Sequence, residues 1–128
     1  MAISYRLDHI ALLVRDLEET TRFLTEVLQI ERIDNPMGGT EIRWFEIGSG
    51  NRFHVQQGDI SRVHVEKRTH FALSAQDLDA VVAHLNAKGV AFSDMKGTAG
   101  AVHVRSDGMR AIFVQDPNGY WFEINDFR

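Results

Sequence analysis

Hydrophobic and polar residues alternate in short runs along most of this chain, a pattern that predicts half-buried β-strands. The first run is "HIALLV" from His9, followed by "TEIRWFEIG" and "NRFHVQQG". The second half contains "HFAL" from His70, then "AGAVHVRS", "MRAIFVQD" and "YWFEINDF". Shorter strands are also predicted near residues 30–33 and 90–92. Glycine-rich stretches such as "NPMGGT" and "KGTAG" separate the runs and are typical of turns.

Two segments repeat their apolar residues every 3.6 positions instead, which predicts one helix in each half of the chain. The first helix is predicted to begin near Asp16, with Glu19 three residues on, and the second near Ser74, with Asp77 three residues on. Gly89 is a natural stop for the second helix. The apolar positions are Leu17, Leu24, Val27 and Leu28 in the first helix, and Leu78, Val81, Val82 and Leu85 in the second. Both helices should lie against a sheet.

The chain also repeats itself, since "HIALLVRDL" from His9 returns as "HFALSAQDL" from His70. Near the end of each half, "RFHV" falls on "WFEI", so that His54 corresponds to Glu123. Each half therefore reads as a β-α-β-β-β module, the first covering residues 1–62 and the second residues 66–128. We expect a single α+β domain built from two tandem modules.

The alternation of strand side chains predicts which residues point away from the helices. Because Ile10, Leu12 and Val14 must share the helix side, His9 points to the other face, and the same parity applies at the three equivalent positions. The four residues that turn away are His9, His54, His70 and Glu123. A lone strand histidine is more often structural than a ligand. Ligand-type residues at all four repeat-related positions favour a metal site.

Three imidazoles and one carboxylate can hold a divalent ion such as Zn, Ni, Mn, Co or Fe. The subset His9, His70 and Glu123 is a two-histidine, one-carboxylate set that would leave coordination positions open for substrate or water. His54 is either a fourth ligand or a residue that supports the site, for example as a general base. Without any cysteine, no thiolate can take part.

Composition narrows the possible partners. A net charge of −4 argues against nucleic acid or an anionic membrane, because both require a basic surface. The first residues lack the pattern of a secretory signal, and no run is apolar for the roughly 18 residues of a membrane span. We therefore expect a cytoplasmic protein with neither of these partners.

With the repeat and the four positions established, the sequence resembles the vicinal oxygen chelate superfamily. The motifs that carry the resemblance are "LDHIALLVRDLEETTRFLTEVL", "THFAL" and "FVQDPNGYWFEI". Known members include glyoxalase I, fosfomycin-resistance proteins, extradiol dioxygenases, methylmalonyl-CoA epimerase and bleomycin-resistance proteins. The resemblance implies paired modules whose mixed sheets curl around a metal-holding cavity, with helices on the outer face, completed in a homodimer. It also implies that His9, His70 and Glu123 are the shared ligands, with His54 where glyoxalase I and the epimerase carry a fourth.

Departures from the family patterns affect the subclass. Bleomycin-binding relatives generally lack the ligands, so their presence here argues against a role in drug sequestration alone. Thiol-transferring fosfomycin proteins typically carry threonine where this chain has Ala11 and a serine-bearing loop where it has "RSDGMRAIF". Leu13 and Gly58 occupy the positions of glutathione contacts in bacterial glyoxalase I, so glutathione is not expected. Extradiol dioxygenases are mostly twice this length.

The resulting hypothesis is a metal-dependent lyase or isomerase of glyoxalase I type, acting on a small carbonyl or vicinal-oxygen substrate. Glu123 would take a proton from carbon if it leaves the metal transiently, with His54 as the alternative base. The predicted substrate pocket contains His103, Arg105, Trp44 and Trp121. An extradiol-type dioxygenase and a fosfomycin-type transferase are alternatives of the same fold. A protein that binds a drug or metabolite without turnover is an alternative of another class.

Overall fold

The computed structural model describes residues 2–128, which form two compact units, one ending at Arg62 and the other spanning Val63–Arg128. The first unit contains β1 (His9–Val14), α1 (Leu17–Arg22) with a π-helical continuation (Phe23–Val27), β2 (Glu31–Ile33), β3 (Ile42–Gly48) and β4 (Asn51–Gln57). The second contains β5 (His70–Ser74), α2 (Leu78–Lys88), β6 (His103–Val104), β7 (Arg110–Gln115) and β8 (Trp121–Asn125). The predicted α+β class is confirmed.

Each unit holds one mixed four-stranded sheet, and the two sheets have the same topology. The strand orders are β1-β4-β3-β2 and β5-β8-β7-β6, with the first pair of each sheet parallel and the remaining pairs antiparallel. Ala11 lies opposite His54 in the first sheet, and Ala72 lies opposite Glu123 in the second. The repeat seen in the sequence therefore extends to the register of the parallel strands.

The core of the first unit follows the predicted alternation. Leu12 and Val14 of β1 are buried, as is Val55 of β4, whereas His9 and Leu13 remain exposed. Burying an aliphatic side chain of this size contributes about 1.5–3 kcal/mol, which fixes the faces of the strands. The helix side is confirmed as the apolar side of this sheet.

Helix α1 begins where the sequence predicts. The side chain of Asp16 accepts a hydrogen bond from the backbone N–H of Glu19 at 2.9 Å, so Asp16 is the N-cap. Thr20 and Leu24 are buried on the side of the helix that faces the sheet. The final turn is π-helical, and the N–H of Ile30 donates to the carbonyl of Leu24 at 2.8 Å as the chain leaves it.

The predicted start of the second helix near Ser74 is wrong. Ser74 is the last residue of β5, opposite Asn125, and its hydroxyl donates to the carbonyl of Phe127 at 2.5 Å. Asp77 is the N-cap instead, because its carboxylate accepts from the N–H of Ala80 at 3.0 Å. Pairing with β8 therefore extends the strand past the position that local capping preferences favoured.

The predicted strand near residues 90–92 is absent from the described chain, where Ser93 instead forms isolated bridges with Phe113 and Ala99. The next predicted strand shortens to His103–Val104. A tight turn competes with pairing here, because the carboxylate of Asp94 accepts from the N–H of Thr98 at 2.8 Å. The edge of the second sheet is therefore shorter than the alternating sequence suggested.

The turn that leads into β8 is built by the "DPNG" segment. Buried Asp116 accepts hydrogen bonds from the N–H groups of Asn118 at 3.0 Å and Tyr120 at 2.7 Å. Gly119 adopts a φ of 98°, which favours glycine over other residues. This turn sets the point at which β8 begins and thereby the position of Glu123.

The helices of residues 2–128 are all too short or too polar to span a lipid bilayer.

Candidate metal centre

The first unit brings His9 and His54 together on the face of the sheet that points away from α1. Their ring centroids are 4.8 Å apart. Trp44 lies opposite His54 on the neighbouring strand, with its ring 4.8 Å from His54 and 5.5 Å from His9. The alternation of strand side chains thus produces a cluster of two imidazoles and an indole.

His54 is the least solvated ligand candidate of this cluster. Its Nδ1 atom is buried and has no hydrogen-bond partner within the described part of the chain. Burial, and secondly repulsion from a charge on His9, lower the pKa of His54 below its ordinary value. A neutral imidazole with an unsatisfied buried nitrogen is suited to bind a cation or to accept a proton.

His9 is held by the residue that precedes it. Its Nδ1 atom lies 2.7 Å from Oδ2 of Asp8, and this hydrogen bond is the main reason that the pKa of Asp8 is lowered. Because an ionised carboxylate can only accept, Nδ1 of His9 must be the donor. The lone pair of the neutral ring is then on Nε2.

The second unit pairs His70 with Glu123 at the equivalent positions. Nδ1 of His70 donates to the backbone carbonyl of Lys67 at 2.8 Å, and Nε2 lies 3.7 Å from Oε1 of Glu123. The other carboxylate oxygen, Oε2, accepts from Nδ2 of buried Asn125 at 2.7 Å. The side chains of His70 and Glu123 are 20% and 16% exposed. Both groups therefore point unshared lone pairs at the same small space.

Lys67 anchors the segment that supplies the carbonyl for His70. Its ammonium group donates to Oγ of Ser93 at 2.8 Å and to the carbonyl of Asp94 at 2.5 Å. It also lies 4.9 Å from the ring of Trp121 and 5.3 Å from the ring of Phe113. These contacts hold the ammonium group over Trp121 and Phe113, which lie opposite His70 and Glu123 on the neighbouring strands.

Trp44, one of the four residues predicted to line a substrate pocket, borders a pocket of the first unit. Its volume is about 530 Å³. The pocket is bordered by His9, His54, Trp44, Ile42 and the loop residues Asn35, Met37, Gly38, Gly39, Thr40 and Glu41. Its floor carries the imidazole rings, and its wall is the loop that connects β2 to β3.

The other three predicted pocket residues lie in the second unit. Trp121 pairs with His70 across the parallel strands and borders a smaller pocket of about 140 Å³. His103 lies in β6 opposite Ala111, on the same sheet face as Glu123. Arg105 follows that strand and donates to Asp107 at 2.5 Å, so a neighbouring carboxylate already engages its guanidinium.

Sequence reasoning missed Arg52, whose guanidinium lies 5.3 Å from the ring of Trp44. It sits two residues before His54, so the same alternation could have placed it on this face. Arg43, in contrast, lies on the helix side and donates to Glu18 and to Oγ1 of Thr21. It therefore stabilises the contact between β3 and α1 and does not face the pocket.

The donor chemistry fits a divalent metal ion, since it combines neutral imidazoles and a carboxylate with no thiolate. Within residues 2–128, no three or more His, Cys, Asp or Glu side chains are grouped closely enough to hold an ion together. The ligand-type residues come as two pairs, His9 with His54 in one unit and His70 with Glu123 in the other.

Comparison with known proteins agrees with this chemistry. Residues 6–124 match the family model described as the Glyoxalase/Bleomycin resistance protein/Dioxygenase superfamily. The uncharacterized protein YwbC of Bacillus subtilis is 28% identical over 125 residues, covering 93% of this chain and 95% of YwbC. The lactoylglutathione lyase GLX1 of Arabidopsis thaliana is 30% identical, covering 91% of this chain but 42% of GLX1.

Among solved structures, a mutant of the fosfomycin resistance protein FosX from Listeria monocytogenes has a similar fold. It is complexed with Mn(II) and 1S,2S-dihydroxypropylphosphonic acid, and its TM-score is 0.75 at 26% identity. The alignment covers 98% of this chain and 93% of that structure. The chain therefore belongs to the glyoxalase/bleomycin resistance protein/dioxygenase superfamily, the vicinal oxygen chelate group that its repeated motifs resemble.

Proposed function

We propose that the protein is a metal-dependent lyase or isomerase of the glyoxalase type, acting on a small substrate with adjacent oxygen atoms. The observation that carries this proposal is the arrangement of His70 and Glu123. Nδ1 of His70 is committed to the carbonyl of Lys67, so Nε2 of the neutral ring and Oε1 of Glu123 present lone pairs across 3.7 Å. Two acceptors that face each other at low exposure favour a cation between them.

His9, His70 and Glu123 supply ligands to this ion in the proposal, with His54 as the fourth. The duplicated register supports the set, because His54 and Glu123 hold the same place opposite Ala11 and Ala72. Zn, Ni, Mn, Co and Fe all suit this donor set. A bound divalent ion would polarise adjacent substrate oxygens and make a neighbouring C–H bond more acidic.

Glu123 is the proposed base, which would leave a bound ion transiently and take the proton from carbon. Asn125 holds Oε2 at 2.7 Å, which leaves Oε1 as the reactive oxygen and fixes its direction. The side chain of Glu123 is only 16% exposed, so its carboxylate is largely screened from bulk water. His54 is the alternative base, because its buried Nδ1 atom has no hydrogen-bond partner among residues 2–128.

The pocket beside Trp44 supports a small, uncharged substrate group. Its lining contains no lysine or arginine, and Ile42 and the indole provide its apolar part. Leu13 is an exposed apolar side chain next to Gly58, where a β-carbon would come within 2.8 Å of it. Neither Leu13 nor Gly58 carries a charged group that could recognise glutathione, so we propose a different thiol or none as cosubstrate.

The test begins with elemental analysis of protein purified without added metal. We expect about one divalent ion per chain, and His70→Ala should lose it. The metal-loaded protein is then incubated with methylglyoxal and a series of thiols, and the isomerised product is measured by NMR. Activity should disappear after chelation and return with one of the five ions. Absence of metal from the wild-type protein contradicts the metal site, and tight binding of the dicarbonyl without turnover favours a sequestering protein.

We also propose that the protein forms a homodimer, which light scattering of the same preparation tests. Twice the mass of the chain is expected, and a monomer that retains full activity contradicts it.

A second candidate is the opening of a small epoxide phosphonate. Its support is the likeness to FosX, which is complexed with a vicinal diol that carries a phosphonate. In this chain the guanidinium of Arg52, over Trp44 and with a side chain 32% exposed, could receive such an anion. Phosphorus NMR of fosfomycin with the Mn(II)-loaded protein, with and without thiols, distinguishes the candidates. Conversion of fosfomycin but not of the dicarbonyl would select this function.

A further inference from the structure

Asp8 contacts three positively charged or hydrogen-bonding side chains at the start of the first sheet. Its Oδ2 atom lies 2.7 Å from Nδ1 of His9, and its Oδ1 atom lies 3.8 Å from Arg6 and 4.0 Å from Arg52. We propose that Asp8 is a positioning residue, which fixes His9 in the tautomer with the proton on Nδ1 and presents Nε2 for coordination. The coordination part of this inference rests on the metal site of the proposed function.

The placement of Asp8 outside the strand makes this contact possible. Strand β1 begins at His9, so Asp8 is not bound to the alternation that would send neighbouring side chains to opposite faces. Its carboxylate can therefore turn toward the imidazole that follows it. A distance of 2.7 Å is typical of a strong hydrogen bond to an ionised acceptor.

In the second unit, the equivalent histidine nitrogen is also hydrogen-bonded, but to a different kind of acceptor. His70 occupies the position equivalent to His9, and its Nδ1 atom also donates, but to the backbone carbonyl of Lys67 at 2.8 Å. Thr69 stands where Asp8 would be and carries no carboxylate. Both histidines thus keep Nδ1 occupied and Nε2 available, although their partners differ. A shared tautomer with unrelated partners indicates that the tautomer itself is required.

A carboxylate partner differs from a carbonyl because it carries a full negative charge, which makes the imidazole a stronger metal ligand. Arg52 keeps the charge of Asp8 in place, since its guanidinium is itself held over the ring of Trp44 at 5.3 Å. His9 is 39% exposed, so packing alone would leave its ring free to flip. Asp8 therefore supplies at His9 the orientation that the carbonyl of Lys67 supplies at His70.

The first test is the tautomer of His9 in the metal-free protein at about pH 8, read from long-range nitrogen–proton correlations by NMR. We expect the Nδ1–H form in the wild-type protein and a shift toward Nε2–H in Asp8→Ala. Asp8→Asn should retain part of the Nδ1–H form, because its amide oxygen still accepts. Glu26→Gln removes one negative charge from an exposed site of the same unit and should change nothing.

The second test is the dissociation constant for Zn measured by competition with a chromophoric chelator. Asp8→Ala should weaken binding by roughly 10- to 100-fold, as is usual when the partner of a ligating histidine is removed. Asp8→Asn should weaken it by less, and Glu26→Gln should match the wild type. Equal affinity of Asp8→Ala and wild type overturns the proposal, as does an Nε2–H tautomer in the wild-type protein. If the wild type binds no Zn, the proposed function fails, whereas the tautomer still decides the role of Asp8.

Discussion

Oε1 of Glu123 lies 3.7 Å from Nε2 of His70, a separation too long for a direct hydrogen bond. The other atoms of both groups are already engaged, Oε2 by Asn125 and Nδ1 by the carbonyl of Lys67. The two facing atoms are therefore the ones that remain for a ligand.

Glu123→Gln should abolish turnover while the fold persists. The amide has nearly the same shape but cannot take a proton, and general-base catalysis contributes roughly 10²- to 10⁴-fold to rate. The mutant should also bind the ion more weakly. Steady-state kinetics at saturating metal check the first effect, and chelator competition checks the second. Retention of more than a tenth of wild-type kcat would assign the proton transfer to another residue, with His54 as the first to test.

Asn125→Ala provides the matched comparison. It removes the donor that holds Oε2 at 2.7 Å but leaves both predicted ligands of the second unit in place. We expect kcat to fall by roughly tenfold and the metal affinity to change less, because the hydrogen bond orients the base and does not replace it. Asn125 also accepts from the N–H of Phe127, so circular dichroism must show an intact fold.

His54 should make the stability of the metal-free protein depend on pH. Its pKa is lowered in the folded state by burial, so the unfolded chain binds the proton more readily between the folded pKa and 6.5. Stability should therefore decline as the pH falls below 6.5. Urea denaturation in the presence of a chelator should show a smaller decline for His54→Gln. If the free energies of unfolding of the wild type and the mutant differ by the same amount at every pH, the burial of this imidazole is contradicted.

Trp44 should contribute to substrate affinity through its ring. Its indole packs against His54 at 4.8 Å and borders the 530 Å³ pocket. Trp44→Ala should raise KM by roughly tenfold, since an aromatic contact contributes on the order of 1 kcal/mol beyond burial. Trp44→Phe keeps a flat ring and should raise KM by less, and metal content should stay unchanged in both. Equal KM values for the alanine and phenylalanine variants would remove the ring from the substrate site.

Much of the fold follows from the sequence, because two periodicities and one repeat act together. Period-two alternation identified the helix side of β1, where Leu12 and Val14 are buried, and the face that carries His9. Predictions from local capping and alternation were wrong where pairing between distant strands determines the secondary structure. Ser74 was expected to start α2, but the parallel pairing with β8 keeps it in the strand. Residues 90–92 were expected to form a strand, but the turn at Asp94 intervenes.

The sequence predicted which residue types form the candidate site, but it did not predict the hydrogen-bond partners that orient their side chains. The repeat identified four positions with ligand-type residues, and the structure places these residues in two pairs on the predicted faces. Three of these side chains are held by hydrogen bonds: His9 by Asp8, Glu123 by Asn125 and His70 by the carbonyl of Lys67. Sequence reasoning found none of these three partners. A backbone carbonyl has no sequence signature, whereas Asn125 is on the same face as Glu123 by alternation and could have been found.

The loop between β2 and β3 should control access to the pocket, and Asn35 should control the loop. Its Nδ2 atom donates to the carbonyls of Gly38 at 2.8 Å and Ile42 at 3.2 Å, and its Oδ1 atom accepts from the N–H of Met37 at 2.9 Å. Asn35→Ala removes all three bonds and should reduce the free energy of unfolding by about 1–2 kcal/mol. KM should rise as the pocket wall loosens.

The decisive measurement is amide hydrogen exchange across residues 35–42 in wild type, Asn35→Ala and Asn35→Asp. The aspartate keeps the acceptor for Met37 but loses both donated bonds, so its exchange should fall between the other two. Faster exchange in the loop together with unchanged exchange in β4 would show that the effect is local. If exchange in the loop is equally fast in all three proteins, Asn35 does not hold the pocket wall, and its effect on KM must come from direct contact with the substrate.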